Sequence, residues 1–147
     1  GGCAAGIATA VKERRPDVKV IGVQPERANA AYVSLEAGAP TTIDYWDSIA
    51  DGLSAVCPGA FPFRHLQRYL DDIVLIREED IANSFCTLRD RAKIIGEPAG
   101  VVATAAFLAG KVDTSLTTVA VVTGGNVTAE TIQRLMDMAE GSSISGT

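Results

Sequence analysis

Short β-branched runs alternate with stretches of helical spacing along this 147-residue chain, and that alternation constrains its fold more than any other feature. Val18, Val20, Ile21 and Val23 form the first run. Residues 72–76 (Asp-Ile-Val-Leu-Ile) form the second, and residues 117–122 (Thr-Thr-Val-Ala-Val-Val) the third. Each reads as a strand, the third as a buried one. The pattern predicts helices over 4–15, 26–36, 63–70, 78–93, 99–109 and 128–140. Pro16 ends the first helix behind basic residues, and Gly38 and Pro40 close the second. Glu78, Glu79 and Asp80 suit a helix N-terminus, and Ile81, Phe85 and Leu88 recur at helical spacing. The near-continuous apolar helix over 99–109 is expected to bury both faces, with Gly110 as its C-cap. Ile132, Leu135 and Met136 share one face of the last helix. Residues 41–59 read as loop, with a short turn at 49–52. Strands alternating with helices specify an α/β protein, here part of a mainly parallel sheet flanked by helices. Three strands are few for an independent doubly wound domain. No internal repeat is present.

Composition removes several functions. Lys and Arg number 13 against 18 Asp and Glu, a net charge of −5, so no basic surface is available to a phosphate backbone and nucleic-acid binding is not expected. No apolar run of about 18 residues exists to span a membrane. The opening Gly-Gly-Cys-Ala-Ala-Gly has no basic n-region, so no signal peptide is expected. Cys3, Cys57 and Cys86 are widely spaced, with no CxxC pair, which argues against a disulfide framework or structural zinc. Reduced thiols in a cytoplasmic protein are the expectation. His65 is the single histidine, which excludes multi-histidine metal sites; its place between Phe63 and Leu66 suits a half-buried residue better than a catalytic base.

Two glycine-rich turns could carry chemistry. Gly1, Gly2, Cys3 and Gly6 precede or open a helix, where backbone N–H groups and the helix dipole favour an anion such as a phosphate. An ordinary helix entry uses the same residues. Thr123, Gly124, Gly125 and Asn126 follow the third strand, at the carboxyl-terminal edge where parallel sheets bind ligands. A plain strand-to-helix turn, with Thr128 capping the last helix, is the alternative. Glu97, between Gly96 and Pro98-Ala99-Gly100, either complements a helix dipole or faces a ligand at that edge. Asp51-Gly52 is a common turn pair. Gln24-Pro25-Glu26 reads as an ordinary helix entry.

In order, Gly-Gly-x-Ala-Ala-Gly-Ile-Ala, Val-Lys-Val-Ile-Gly-Val-Gln-Pro-Glu, Ile-Ala-Asp-Gly-Leu, the Asp-Asp-Ile strand, Gly-Glu-Pro-Ala-Gly and Val-Val-Thr-Gly-Gly-Asn-Val resemble one family. It is the threonine dehydratase and serine racemase group of fold-type II pyridoxal-phosphate (PLP) enzymes. The resemblance covers residues 1–140, as the C-terminal part of the large domain, and leaves 141–147 as a flexible Gly/Ser-rich tail. It implies that Gly1 and Gly2 are the last glycines of the loop around the cofactor phosphate, with Cys3 in place of a usual Leu or Met. It implies that the Thr123 hydroxyl meets the pyridine nitrogen, followed by Gly124, Gly125 and Asn126. Such a partner leaves that nitrogen largely unprotonated and steers the chemistry toward β-elimination. Glu97 is implied to lie near the cofactor, and Asp51 and Gly52 in a loop packed around the site.

The departures are equally specific. The family's Ser-Phe-Lys motif, whose lysine forms a Schiff base with PLP, is absent, and Lys12, Lys19, Lys93 and Lys111 do not match it. No catalytic residue is therefore assigned to this chain. Some relatives bind a divalent cation through side chains at the positions of Gln24 and Ala30 and a carbonyl at Ala28; both side-chain ligands are replaced, so no metal is expected. Covalent PLP chemistry needs a positioned amine. The resemblance thus implies a threonine or serine ammonia-lyase, or a serine racemase, whose pocket is half present. Its expected partners are the missing N-terminal half or a second copy of the chain, as a homo-oligomer, with a small amino acid as substrate of the complete enzyme. A non-catalytic self-associating or binding module is the competing expectation. An unrelated nucleotide-binding domain would need a complete GxGxxG after a strand, which the chain lacks.

Overall fold

The computed structural model describes residues 1–144. Two strands, β1 (Ile21–Pro25) and β2 (Asp72–Ile76), pair in parallel, with Ile21 opposite Asp72 and Pro25 opposite Ile76. Six α-helices accompany them among the described residues: α1 (Gly2–Lys12), α2 (Ala30–Ala37), α3 (Ala60–Tyr69), α4 (Glu78–Thr87), α5 (Val102–Leu108) and α6 (Ala129–Ile144). Short 3-10 turns occupy Asp51–Leu53 and Pro98–Gly100. The α/β class and the parallel pairing follow the sequence pattern.

Strand alternation sorts the core into two layers. Val74 and Ile76 of β2, with Val23 of β1, face a cluster built from Ile81 and Phe85 of α4, Val101, Val102, Ala105 and Ala106, and Leu135 of α6. Ile73 points the other way, toward Ala5, Ala31 and Leu66 of α1, α2 and α3. Ile49 and Ala50, from the loop after α2, are buried in the first cluster. Helix α4 starts where its acids predict: the Asp80 carboxylate accepts from the Arg77 backbone N–H at 3.0 Å and from the Arg77 guanidinium at 3.0 Å. Burial pushes the Asp80 carboxyl upward, but these bonds outweigh it and hold it below the ordinary carboxylate range.

Several boundaries differ from expectation. Strand β1 begins at Ile21 rather than Val18, because Asp71 holds Val20 just before the ladder: its Oδ2 accepts from the Val20 N–H, and its own N–H donates to the Val20 carbonyl. Pro25 can end the strand because the ladder passes to Glu26, whose N–H donates to the Ile76 carbonyl at 2.9 Å. The helix expected over 78–93 leaves α geometry after Thr87 and ends in a wide turn over Leu88–Ala92, with Lys93 left-handed (φ 59°). The helix expected over 99–109 is α5 preceded by a 3-10 turn. It does not bury both faces: Phe107 and Leu108 are exposed, because α5 packs on α4 and the strands from one side. Helix α6 runs on through Ile144, past the tail boundary placed at Gly141, and residues 145–147 lie outside the described residues.

The largest correction concerns residues 117–122. They form no strand, and Val119 is 82% and Val121 42% exposed. A strand needs neighbouring backbone groups, and the described residues place none beside this segment. It is anchored at its end instead. The Thr123 N–H donates to the Gly100 carbonyl at 3.2 Å, and the Gly100 N–H donates to the Glu97 carbonyl at 2.8 Å. The two backbones approach so closely that a methyl group on Gly100 would overlap the Thr123 carbonyl.

Two outcomes follow in stability. Gly100→Ala is expected to cost at least about 2 kcal/mol through overpacking against backbone. Gly6→Ala, inside α1 where a Cβ meets nothing within 4 Å, is expected to add roughly 0.5–1 kcal/mol. Urea unfolding of both variants reads the contrast; equal effects would remove the crossing as a constraint. For pH, a carboxyl depressed in the folded state contributes stability that is present above its unfolded value of about 3.9 and lost as pH falls through the lower folded value. Acid titration of the urea midpoint is therefore expected to show a decline below pH ~4 that Asp80→Asn flattens.

Candidate functional site

The site grows out of the crossing. Once Gly100 and Thr123 are held together, the chain turns back through Gly124, whose φ of 65° suits glycine. The turn closes around Glu97. The Glu97 N–H donates to the Gly124 carbonyl at 3.4 Å, and Glu97 Oε2 accepts from the Asn126 N–H at 3.3 Å. A Cβ on Gly124 would run into the Glu97 carboxylate, so the same glycine serves both the turn and the close approach. The Thr123 backbone is occupied by Gly100, while its hydroxyl has no hydrogen-bond partner among the described residues. Thr123, Gly124, Gly125 and Asn126 are all exposed.

The Asp51-Gly52 turn joins this cluster. Asp51 Oδ1 accepts from the Gly52 N–H at 2.8 Å, which closes the turn on itself. A Cβ on Gly52 would lie 2.9 Å from Ala99 Cβ and 3.8 Å from Glu97 Oε1. Thus Gly52, Glu97 and the turn from Thr123 to Asn126, three separate stretches of the sequence, meet in one place. Gly100 belongs with them. Its signal was its position three residues after Glu97 in Gly-Glu-Pro-Ala-Gly, but nothing in the sequence shows that residue 123 is the backbone it meets.

Gly1, Gly2 and Cys3 lie elsewhere, at the start of α1. Gly1 is the N-cap and carries no side-chain cap, and α1 has no acidic residue in its first turn. A Cβ on Gly2 meets nothing within 4 Å, whereas one on Gly1 would press on Leu66 Cδ1 at 3.0 Å. The entry is packed on α3 and open on its outer side. First-turn N–H groups at such an end favour an anion.

For PLP, these residues fit in part. An uncapped, glycine-lined helix start suits a phosphate, and a free hydroxyl at Thr123 suits a ring nitrogen. Two of the four lysine amines are already engaged. Lys12 Nζ is paired with Asp71 at 2.7 Å, and Lys93 Nζ donates to the Asp90 carbonyl at 2.7 Å. For a divalent cation at the β1–α2 turn the donor set does not fit. Gln24 Oε1 is neutral and already accepts from the Tyr32 N–H at 2.9 Å, and Ala28 and Ala30 are buried alanines. Gln24, read as a plain helix entry, thus satisfies a first-turn amide of α2 that Asn29, the N-cap, leaves open. His65 is half-buried, with Nδ1 3.0 Å from Thr9 Oγ1. The Thr9 hydroxyl proton goes to the Ala5 carbonyl, so His65 Nδ1–H is the donor and the residue is structural. No helix among the described residues is long and apolar enough to cross a membrane.

Comparison with known proteins bears on the family and the fold. The family described as pyridoxal-phosphate dependent enzyme matches residues 1–124. The catabolic L-threonine dehydratase TdcB of Escherichia coli K12 is 37% identical over 138 residues, covering 92% of this chain and 42% of that enzyme. The L-threonine ammonia-lyase of Geobacter sulfurreducens is 38% identical over 138 residues, covering 93% and 34% respectively. Among solved structures, the processed threonine deaminase isoform 2 of Solanum lycopersicum superposes with a TM-score of 0.86 at 29% identity, covering 95% of this chain and 41% of that one. Maize serine racemase gives a TM-score of 0.80 at 25% identity, covering 100% and 46%. The chain spans less than half the length of each of these proteins. A family match over most of its residues and a shared fold place it plainly: the chain belongs to the pyridoxal-phosphate-dependent enzyme family.

Proposed function

We propose that this chain is the C-terminal part of a PLP-dependent threonine or serine ammonia-lyase, or of a serine racemase-like enzyme, and is inactive alone. The observation that supports it best is the Glu97–Gly124–Asn126 closure, which leaves the Thr123 hydroxyl free at its rim. PLP, when bound, supplies the electron sink for α-proton loss and β-elimination. The chain's own residues hold and orient it. Gly1, Gly2 and Cys3 present first-turn N–H groups of α1 to the phosphate. The Thr123 hydroxyl donates to the ring nitrogen. Glu97, fixed by the Asn126 N–H, keeps the Gly124–Gly125 turn in register with that hydroxyl. The Asp51-Gly52 turn covers the Glu97 side. The lysine amine and the grip on the amino-acid substrate come from the remaining part of the enzyme, in the cytoplasm.

The exposed segment over 117–122 supports an incomplete sheet. Ile94 and Ile95, next to it through Gly96 and Glu97, are 43% and 46% exposed, and Leu116 is 66% exposed. Unpaired backbone flanked by apolar side chains recruits another strand. We assign that place to the upstream half of the enzyme. The second reading, a non-catalytic module that self-associates through this edge, draws on the same surface. Light scattering with and without an upstream fragment separates the two: the first predicts oligomers that dissolve into a complex with the fragment, the second an unchanged assembly.

The activity test supplies, in trans, the upstream part of the Escherichia coli threonine dehydratase. Threonine deamination and PLP retention are expected only in the mixture. Thr123→Ala in that mixture removes one hydrogen bond of about 1 kcal/mol and is expected to weaken PLP retention about fivefold. Retention that is unaffected by Thr123→Ala would contradict the ring-nitrogen assignment. Because the β1–α2 turn is closed by Gln24, thermal unfolding is expected at the same temperature in EDTA and in millimolar Mg²⁺ or Ca²⁺, whereas Gln24→Ala lowers it by several degrees, for about 1 kcal/mol lost. A cation-dependent rise in the unmodified chain would restore a metal to that turn.

A further inference from the structure

Glu78 opens α4 directly after β2, at the carboxyl-terminal edge of the sheet. By sequence it is one of three acids that suit a helix dipole, and none of the site assignments uses it. The structure gives it a separate role. Glu78 Oε2 accepts from the Ile49 N–H at 2.8 Å, across 29 residues of chain. Its other oxygen, Oε1, is buried and has no hydrogen-bond partner among the described residues. Taking a carboxylate oxygen out of water without a partner is unfavourable. A side chain that only complemented a helix dipole could point both oxygens at solvent. Glu79, next to it in the same first turn, is exposed.

What Glu78 holds leads to the site. Ile49 is followed by Ala50, which is fully buried in the main core, and then by the Asp51-Gly52 turn. Gly52 packs on Ala99 and faces Glu97. Glu97 in turn receives the Asn126 N–H. We propose that Glu78 is a positioning residue for the cofactor site: it fixes the Ile49 backbone, and through the Asp51-Gly52 turn it sets the place of Glu97 and Asn126. The cofactor relevance of this path rests on the reading given above, but the path itself does not.

The test uses the full chain without PLP and reads amide exchange by NMR at Ile49, Gly52, Asn126 and, as a control in α4, Phe85. Glu78→Ala removes the acceptor. It is expected to speed Ile49 exchange about tenfold and to raise Gly52 and Asn126 exchange about threefold, with Phe85 unchanged. Glu78→Gln keeps an acceptor for the Ile49 N–H and is expected to bring Ile49 and Asn126 back to within about twofold of the unmodified chain. If Glu78→Ala loosens Phe85 as well, Glu78→Asp, which withdraws the acceptor by one methylene and keeps the charge, is read in the same way. Unchanged exchange at Ile49, or a change at Ile49 that does not reach Asn126, overturns the proposal. Failure of the completed enzyme to retain PLP, with the Ile49–Asn126 coupling intact, would instead count against the cofactor reading alone.

Discussion

The C-terminal third of the chain depends on one backbone crossing, where Gly100 and Thr123 meet with no room for a side chain between them. Residues 111–128 contain no regular secondary structure, and only Val112 and Val122 among their side chains pack on the main core. Two backbone hydrogen bonds, Thr123 to Gly100 and Glu97 to Gly124, pin them at the foot of α5. The rest of the site follows from that contact. Gly124 must turn with positive φ to leave the crossing, the turn must make room for Glu97, and Glu97 must point at Asn126. A residue with a side chain at either glycine would open the turn and release the hydroxyl at Thr123 from its place.

Much of the fold was legible because it is local. The acids at 78–80 announced the start of α4, and the wedge of Ile73, Val74 and Ile76 announced β2. Gly38, left-handed after α2, ended that helix as its sequence position suggested. What was not legible depends on distant partners. The composition of residues 117–122 is that of a strand, but composition cannot say whether a neighbouring strand lies beside it. Val18 looked like part of β1 until Asp71, more than 50 residues away, took the Val20 backbone for itself. The apolar run of α5 suggested burial on both faces, yet a helix is buried only where something covers it.

The site divides in the same way. Glu97, Thr123 and the glycines after it were marked by residue type, since a carboxylate before an apolar run and a hydroxyl after a strand-like run are chemically conspicuous. Their mutual contact was not marked. Glu78 was missed because acids in the first turn of a helix already have a sufficient explanation, and only the Ile49 contact shows a second use. Gln24 is the reverse case: its departure from a cation ligand was visible, but its hydrogen bond to Tyr32, which closes the turn without a metal, belongs to the folded chain. The α1 start and the Thr123 turn are built by different layers of the core, with α1 and α6 packed on opposite sides of the strands.

We propose that this chain supplies the phosphate and ring-nitrogen contacts of a PLP site, and that the amine bonding the cofactor comes from the upstream part of the enzyme. Borohydride reduction of the purified chain after incubation with PLP, read by intact mass and peptide mapping, shows where that amine lies. No stoichiometric adduct is expected on Lys12, Lys19, Lys93 or Lys111, and a single adduct is expected on the upstream fragment's lysine once that fragment is added. One stoichiometric adduct on a single lysine of this chain alone would contradict it, and would mean that the chain carries its own reactive amine.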